Sequence, residues 1–377
     1  MRCKIIGAID EVSRSQWNTL TGTQTPFLSH EFLSALERHH CVGEESGWLP
    51  QHLLLFDDDK LLGAIPQYLK NNSYGELVFD WAWADAYERN GLDYYPKLVV
   101  AIPYTPATGP RLLVSPEADE KRIRDALIKH ALEYAKNLQV SSLHWLFPHE
   151  RDLQSLTDHG LMARLGCQFH WHNQDYRDFD DYLDHFTSSK RKKIRQERRK
   201  VVDSGVTLQR LHGNELTEAQ WQAVHRHYRS TFERRSGYPT LSLDFFLETS
   251  QTLPQQLIVI LAEYEKQAVA SAICWRDADT LYGRHWGCDA RFKNLHFEAC
   301  YYQGLEYCIE HGLKRFDPGA QGEHKISRGF LPTPTWSAHW IANPQFQQAI
   351  EQFLQRETIG MRNYISELGE HSPFKSN

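Results

Sequence analysis

Residues 281–330 read LYGRHWGCDARFKNLHFEACYYQGLEYCIEHGLKRFDPGAQGEHKISRGF, and the order of elements in this stretch indicates the class of fold. The pattern predicts a strand over 281–286, a helix that Asn294 caps and Gly312 ends, and a second strand over 313–317. Ligands of α/β proteins bind beyond the carboxyl ends of strands. We therefore expect the chemistry in the exposed polar loop PGAQGEHKISRG, which follows the second strand.

Length and composition bound the class of protein. The 377 residues carry a net charge of -6, which argues against general coating of nucleic acid. The length suggests two domains. Seven scattered cysteines without a CxxC pair predict reduced thiols. The N-terminus lacks the apolar run of a signal peptide and no stretch is long enough to span a membrane, so we expect a cytoplasmic protein.

The second half of the chain repeats the element order of the first. Each half is predicted to contain a helix, a strand pair, a longer helix and another strand. These elements lie at 29–39, 52–56, 61–70, 119–136 and 141–147, and again at 221–235, 257–264, 268–277, 297–312 and 313–317. A segment with a His-Trp pair then follows in each half, at 168–174 and at 337–343. The repeat predicts two similar folds.

The predicted domains are 1–175, 176–344 and a C-terminal helix and tail at 345–377, with the helix over 345–366. The first half carries an aromatic and acidic insertion at 73–114, whose Pro and Gly residues predict a substrate-facing loop between strands. Its acids would favour a cationic amine acceptor if they line a groove. Asp80, Trp83 and Asp85 are therefore candidate substrate-binding residues, and ordinary packing is the alternative for the tryptophan.

A basic segment joins the two halves. Residues 190–200 contain eight Lys or Arg, and the pattern predicts a linker helix over 187–203. One interpretation is a solvated helix between two domains. The other is a site for phosphates of a nucleic acid or of a pyrophosphate-bearing substrate, with Lys190, Arg191 and Lys193 as the binding residues. Because no aromatics are interleaved, base stacking is not indicated.

Three segments together resemble the FemAB-like peptidoglycan-bridge acyltransferases, a two-domain branch of the GNAT superfamily. They are SSKRKKIRQERRKVVDSGV, FEACYYQGLEYCIEHGLKRFDPGAQG and YTPATGPRLL. SYGELVFDWAWADAYERNG, LHFEACYYQG and PGAQGEHKISRGF are similar to a bacterial subfamily of predicted N-acyltransferases. The resemblance implies an α/β fold of two tandem GNAT-like domains with mixed sheets flanked by helices.

The resemblance also implies transfer of an acyl group to an amine. Fem proteins take an aminoacyl group from a charged tRNA for a peptidoglycan precursor, and other GNAT relatives use acyl-CoA. The helical hairpin of some Fem proteins has no counterpart here, and RFKNLH stands where the glycine-containing GNAT pyrophosphate signature is usual. Aminoacyl-tRNA and acyl-CoA therefore both stay open as co-substrates, and no permanently bound cofactor is expected.

Acyl transfer to an amine needs a base, a partner for the oxyanion and a positioned donor. Since no GxSxG or similar nucleophile signature occurs, direct attack is favoured over a covalent enzyme. The candidate catalytic residues are His285, Asp317, Glu323 and His324. A structural histidine is the alternative for His285, and a turn-capping carboxylate is the alternative for Asp317.

Further residues of the same stretch can bind substrate. The candidates are Arg284, Trp286, Gly319, Gln321, Gly322, Lys325 and Arg328. No HExxH or comparable spacing occurs among the 20 histidines, so no metal site is expected. The sequence thus predicts an N-acyltransferase that acts on a small-molecule or cell-wall-precursor amine. The alternative is a non-catalytic protein that binds a phosphate-bearing ligand, either a nucleic acid or a cell-wall fragment.

Overall fold

A computed structural model describes residues 1–22, 25–234, 237–289, 292–320 and 322–375. The chain forms two compact units. Unit 1 comprises Met1–Cys167 and Pro334–Tyr364, and unit 2 comprises Gln168–Thr333 and Ile365–Asn377. The domain boundaries predicted above, 1–175, 176–344 and 345–377, stay a prediction about which segments fold independently.

The first segment of unit 1 is rich in strands. Its strands are β1 (Arg2–Ile6), β2 (Trp48–Pro50), β3 (His52–Asp57), β4 (Lys60–Ile65), β5 (Gln67–Lys70), β6 (Lys97–Val100), β7 (Leu113–Val114) and β8 (Ser142–Leu146). Its α-helices are α1 (Arg14–Thr21), α2 (His30–Arg38), α3 (Trp81–Arg89), α4 (Glu120–Asn137) and α5 (Glu150–Asp158). Strand β9 (Met162–His172) follows and ends in unit 2.

Unit 2 and the C-terminal segment contain the remaining elements. The helices are α6 (Phe179–Asp184), α7 (Ser188–Asp203), α8 (Glu218–Glu233), α9 (Leu243–Thr252), α10 (Leu295–Phe297), a π-helical turn (Glu298–Tyr302), α11 (Gln303–Glu310) and α12 (Pro344–Glu370). The strands are β10 (Thr207–His212), β11 (Leu257–Tyr264), β12 (Gln267–Arg276), β13 (Thr280–Cys288), β14 (Arg315–Asp317) and β15 (Leu331–Ile341). A 3₁₀ helix covers Glu323–Arg328.

Both units contain a mixed sheet with the same local order. In unit 1, β5 pairs antiparallel with β6, β6 pairs parallel with β8, and β8 pairs antiparallel with residues 337–341 of β15. In unit 2, β12 pairs antiparallel with β13, β13 pairs parallel with β14, and β14 pairs antiparallel with β9. Each parallel pair is connected through a helix, α4 or α11. The predicted class of two tandem GNAT-like folds with mixed sheets is confirmed.

The pairing also shows an exchange of strands between the repeats. The His-Trp strand that ends the first repeat, β9, pairs with β14 of unit 2. The His-Trp strand that follows the second repeat, β15, pairs with β8 of unit 1. Each unit therefore completes its sheet with a strand from the other half of the sequence.

Local sequence explains the helices that were predicted well. The hydroxyl of Ser29 accepts the N–H of Phe32 at 3.2 Å and caps α2. The carboxylate of Asp119 caps α4 by accepting the N–H of Arg122 at 3.2 Å. Helix α7 covers Ser188–Asp203 and agrees with the helix predicted over 187–203.

Two local predictions were wrong. Asn294 adopts a left-handed conformation (φ 67°) and its side chain caps nothing, because a capping residue needs an extended backbone. The insertion at 73–114 is not one loop, since it contains α3, β6 and β7. The alanines of WAWADAYER favour a helix, and Trp83 and Tyr87 are buried on it against Ile350 and Leu354 of α12.

Close packing positions the strand that leads to the predicted site. A Cβ on Gly304 of α11 would lie 2.5 Å from the Phe316 ring of β14. A Cβ on Gly287 of β13 would lie 1.6 Å from the carbonyl oxygen of His227 on α8. Only glycine permits these approaches, which hold β13 and β14 tightly between helices. None of the described helices has the length and apolar composition that crossing a membrane requires.

Candidate functional site

The carboxyl end of β14 carries a buried charged centre. Asp317 is 1% exposed, and its Oδ1 accepts the N–H of Gly319 at 2.9 Å. Lys325 is 2% exposed, and its Nζ donates to the carbonyl oxygen of Gly319 at 2.6 Å. Gly319 has φ 95°, a conformation that favours glycine. Gly319 therefore connects the carboxylate of Asp317 to the ammonium group of Lys325, through its N–H and its carbonyl.

Burial tunes the lysine of this centre. Desolvation lowers the pKa of Lys325 to about 8, although the Asp317 carboxylate opposes this effect and the Arg284 guanidinium adds to it. Desolvation also lowers the pKa of the Arg284 guanidinium, while Asp317 raises it. Two cations thus share one carboxylate, and the centre has an excess of positive charge that suits an anion or a developing oxyanion.

The predicted polar loop is a 3₁₀ helix rather than an open loop. Lys325 and Arg328 are buried inside it, which contradicts the expectation that the whole segment is exposed. Glu323 and His324 do lie on its exposed side. Gly322, immediately before it, has φ 117°. The physical reason for the difference is that each buried cation has a partner, Glu197 of α7 for Arg328 and the Gly319 carbonyl for Lys325.

The exposed His324 has a hydrogen-bond partner on another element. Its Nε2 lies 2.9 Å from the hydroxyl of Tyr301, a residue of the π-helical turn. Loss of hydration and then the charges of Arg328 and Lys325 lower the pKa of His324 below its usual 6.5. The imidazole is therefore neutral at neutral pH, as a general base must be before it takes a proton.

Arg328 holds the 3₁₀ helix in place. Its Nη2 donates to both carboxylate oxygens of Glu197 on α7, at 3.0 and 2.9 Å. Its Nε donates to the hydroxyl of Tyr302 at 3.1 Å, and its guanidinium lies 3.5 Å from the centroid of the Phe297 ring. Its Nη1 donates to the carbonyl oxygen of His324 at 2.9 Å, so the guanidinium fixes the segment that carries His324 and Lys325.

Three further predicted residues of unit 2 lie on β13. His285 packs edge-on against Tyr228 at 4.8 Å, and burial lowers the pKa of its imidazole to about 3. Trp286 contacts His296, with ring centroids 5.4 Å apart. Arg284 lies on the same strand, β13. Gln321 lies outside the described residues.

The basic helix α7 has two faces. Arg191 pairs with Asp184 at 2.8 Å, and Arg198 binds Glu298 and Glu306 of the π-helical turn and α11. Lys193 is exposed and Lys190 is half-buried. The inner face therefore anchors the helix, while part of the predicted phosphate-binding set stays on the outer face.

The predicted acidic and aromatic residues of unit 1 have other partners. Asp80 is 4% exposed and forms an ion pair with the buried Lys97, and Tyr94 donates to the same Asp80 oxygen at 2.6 Å. Burial by itself raises the pKa of Asp80, but the charge of Lys97 opposes this effect, and the pKa is lowered overall to about 2. Trp83 is buried, and Asp85 pairs with Arg89 on the exposed side of α3 at 2.7 Å.

Sequence reasoning missed several residues of the unit 2 site. His170 of β9 is 2% exposed and lies 3.9 Å from Asp317, and Tyr301 and Glu197 contact His324 and Arg328. The repeated His-Trp pair was the available signal for His170, because it identified strand β9 in the sequence. It did not indicate that Asp317 lies beside this histidine. Across the part of the chain that the structure describes, no group of three or more His, Cys, Asp or Glu side chains could hold a metal ion.

The comparisons with known proteins agree with this fold. The FemAB_like family model, described as peptidoglycan biosynthesis/recognition, matches residues 8–376. The crystal structure of FemX is similar with a TM-score of 0.55 and 12% identity, over 93% of this chain and 100% of FemX. The L-PGS of Bacillus licheniformis is similar with a TM-score of 0.55 and 10% identity, over 92% of this chain and 96% of that one.

A third similar structure is the C-terminal domain (DUF2156) of a putative lysylphosphatidylglycerol synthetase from Agrobacterium fabrum. Its TM-score is 0.54 at 10% identity, over 92% of this chain and 97% of that one. At these identities the likeness shows the fold. No curated protein matches the sequence. The family match confirms the resemblance on which the sequence analysis relied.

Proposed function

Because this chain belongs to the FemAB-like family, we propose that it is an N-acyltransferase that moves an acyl or aminoacyl group to an amine acceptor. The observation that carries the proposal is the neutral His324, bonded to Tyr301 and adjacent in the chain to the buried Lys325 at the end of β14. A base and a cation at the end of a strand are what attack by an amine requires.

The proposed reaction forms one bond and breaks one. The acceptor amine, in its neutral form, attacks the carbonyl carbon of the donor, and a C–N bond forms. His324 takes the proton that the amine nitrogen loses, while Glu323, the preceding residue, is the second candidate for this role. The C–O bond of an aminoacyl ester or the C–S bond of a thioester then breaks. The leaving oxygen or sulfur receives the proton that His324 holds.

Lys325 is proposed to stabilise the charge that develops on the carbonyl oxygen. Its Nζ has one described hydrogen bond, to Gly319, and an ammonium group can donate three. Asp317 and Gly319 position this group, and Arg284 adds a second positive charge near it. Oxyanion stabilisation of this kind is often the largest electrostatic contribution to acyl transfer.

We propose that the donor, either acyl-CoA or aminoacyl-tRNA, binds along the end of β13. Its pairing with β14 ends at Tyr282, while β13 continues to Cys288. Backbone groups along a diverging strand can hydrogen-bond an extended ligand that carries amides, as an acyl-CoA does. The phosphates of either donor suit the outer face of α7, with Lys190 and Lys193 as proposed contacts.

The proposed acceptor is the amine of a cell-wall precursor or of a small molecule. The family description, peptidoglycan biosynthesis/recognition, supports the first of these. In unit 1, Asp85 stays the proposed acidic contact for a cationic ligand, since its ion pair with Arg89 is exposed, whereas Asp80 is buried with Lys97.

Turnover measurements test the proposal. Purified protein is incubated with a panel of acyl-CoA thioesters and aminoacyl-tRNAs, together with cell-wall precursors and small amines, and new amides are detected by mass spectrometry. We expect an amide product that His324→Ala forms roughly 10²-fold more slowly. If no donor gives product, while Lys190→Gln with Lys193→Gln abolishes binding of tRNA or of a lipid-linked precursor, the chain is the non-catalytic phosphate-binding protein instead.

A further inference from the structure

His170 occupies an unusual place for a residue of the first repeat. It lies on β9, the strand that the first half contributes to the sheet of unit 2. The antiparallel register pairs His172 with Arg315 and Trp171 with Phe316, so the preceding residue of β9, His170, lies beside Asp317. The strand exchange thus brings a histidine from the first half of the sequence to the carboxyl end of β14.

The tautomer of His170 follows from its partner. Its Nε2 lies 3.0 Å from the amide oxygen of Gln168, which can only accept, so Nε2 carries the hydrogen. The same nitrogen is 3.9 Å from Oδ1 of Asp317. Desolvation lowers the pKa of His170 to about 4, against the opposing effect of Asp317, so the ring is neutral at neutral pH. The N–H that Gln168 accepts therefore also lies near the carboxylate, 3.9 Å from its Oδ1, and the neutral ring leaves the Asp317 charge in place.

Three contacts connect this ring to the site. The His170 ring, which is 2% exposed, packs beside Asp317. The Asp317 oxygen that faces the ring also accepts the N–H of Gly319. The carbonyl of Gly319 then accepts from Lys325. If the carboxylate moved, the N–H of Gly319 would lose its acceptor. The Gly319 carbonyl, which accepts from Lys325, would then no longer be held in place.

We propose that His170 is a positioning residue of the unit 2 site, whose ring holds the Asp317 carboxylate against the Gly319 turn that anchors Lys325. The inference deepens the acyl-transfer function proposed above and rests on it. His170 does not touch the reacting atoms in this assignment, so its removal acts through the geometry of Lys325. Misplacement of a catalytic group by a fraction of an ångström to 1 Å is costly for rate.

Two substitutions separate positioning from packing. His170→Phe keeps a ring and removes the N–H, whereas His170→Gln places an amide N–H near the position of Nε2. We expect His170→Phe to lower kcat about tenfold with KM within about twofold of wild type, and His170→Gln to recover most of kcat. If His170→Phe does not fold, His170→Leu, which also lacks the N–H, carries the same expectation.

The matched control is His339 in unit 1. It is 1% exposed, precedes Trp340 as His170 precedes Trp171, and its Nε2 lies 2.8 Å from Ser337, two residues earlier. We expect His339→Phe to lower the melting temperature and to leave kcat per folded molecule unchanged. Equal kcat for His170→Phe and His170→Gln, or a loss in His170→Phe that only follows its melting temperature, overturns the proposal.

A second readout does not depend on turnover. The N–H of Gly319 is bonded to Asp317, so its hydrogen-exchange rate reports the position of the carboxylate. We expect exchange at Gly319 to accelerate about tenfold or more in His170→Phe and to stay near wild type in His170→Gln and His339→Phe. Unchanged exchange in His170→Phe defeats the positioning role. Absence of turnover in the wild-type protein defeats the proposed function alone, because the Gly319 measurement still decides the role of His170.

Discussion

The two exchanged strands bring a buried histidine to equivalent positions of the two sheets, and the partner differs. In unit 1, His339 of β15 stands opposite His144 of β8, and their Nδ1 atoms are 2.7 Å apart. In unit 2, His170 of β9 lies beside Asp317 of β14. Both histidines have an Nε2 hydrogen bond to the residue two positions earlier, Ser337 or Gln168.

The surroundings of the two positions diverge further. In unit 1 the ring centroids of Trp83 and His339 are 4.9 Å apart. His144 contacts the hydroxyl of Tyr94, which donates to Asp80, the buried partner of Lys97. In unit 2 the charges lie beside a turn that ends in exposed residues, Glu323 and His324. One scaffold position thus serves a closed polar core in unit 1 and a candidate site in unit 2. The same strand pattern therefore does not imply the same function.

The largest expected effect tests the closed core of unit 1. Lys97→Met leaves the carboxylates of Asp80 and Glu76 buried without their cation, which typically costs about 3–5 kcal/mol. We expect the free energy of unfolding in urea to fall by that amount. The control is Lys129→Met on α4, an exposed lysine whose loss should cost less than about 0.5 kcal/mol. A loss of kcat per folded molecule in Lys97→Met would instead give unit 1 a catalytic role.

The next effect tests the candidate site of unit 2. We expect His324→Ala, and also Glu323→Gln, to lower turnover by roughly 10²-fold, because general acid–base groups contribute in this range. Both side chains are exposed, so the melting temperature should change little. His159→Ala in unit 1, which removes another surface histidine, is the control. Variants that lose stability and keep their rate would show that these residues only support the 3₁₀ helix.

A third experiment uses the pH dependence of unit 1. Burial raises the pKa of Glu76 from 4.5 to about 7, although the charge of Lys97 opposes the shift, and Asp80 and Lys70 also face this group. The folded state thus keeps a proton that the unfolded chain releases between these values. This contribution to stability is complete below pH 4.5 and is lost as the pH rises through 7.

We therefore expect the free energy of unfolding of wild type, relative to Glu76→Gln, to fall by on the order of 2 kcal/mol between pH 4.5 and pH 7. Urea unfolding at several pH values measures this difference. Lys129→Met, the exposed control on α4, should keep the wild-type slope. A constant difference between wild type and Glu76→Gln would mean that Glu76 is charged throughout this range.

The smallest expected effect compares two helices. We expect Lys190→Gln with Lys193→Gln on α7 to weaken tRNA binding a few-fold, and to reduce the slope of log affinity against log salt by about one per lysine that contacts phosphate. Lys129→Gln with Lys136→Gln on α4 of unit 1 is the charge-matched control. Equal slopes for the two double variants would make α7 a solvated helix and nothing more.

Much of the local structure could be predicted because its causes lie within a few residues. Ser29 and Asp119 cap α2 and α4, two helices that were predicted at 29–39 and 119–136, and α12 covers the helix predicted over 345–366. Asn294 shows the limit of such rules, since a residue type that favours capping does not cap when its backbone is left-handed. The insertion was misread because its prolines and glycines masked the short helix Trp81–Arg89.

The sequence by itself determined the tandem α/β class, the helix and strand order and the strand end where the candidate site lies. Caps, periodic burial and turn glycines are local properties of the chain. Only the tertiary structure decided which charges are buried and which histidine meets which partner. His144 and His339 are 195 residues apart in sequence, and Arg328 and Glu197 are 131 apart. The strand exchange brings the first of these pairs together, and desolvation then sets their protonation, so neither effect could be read from neighbouring residues.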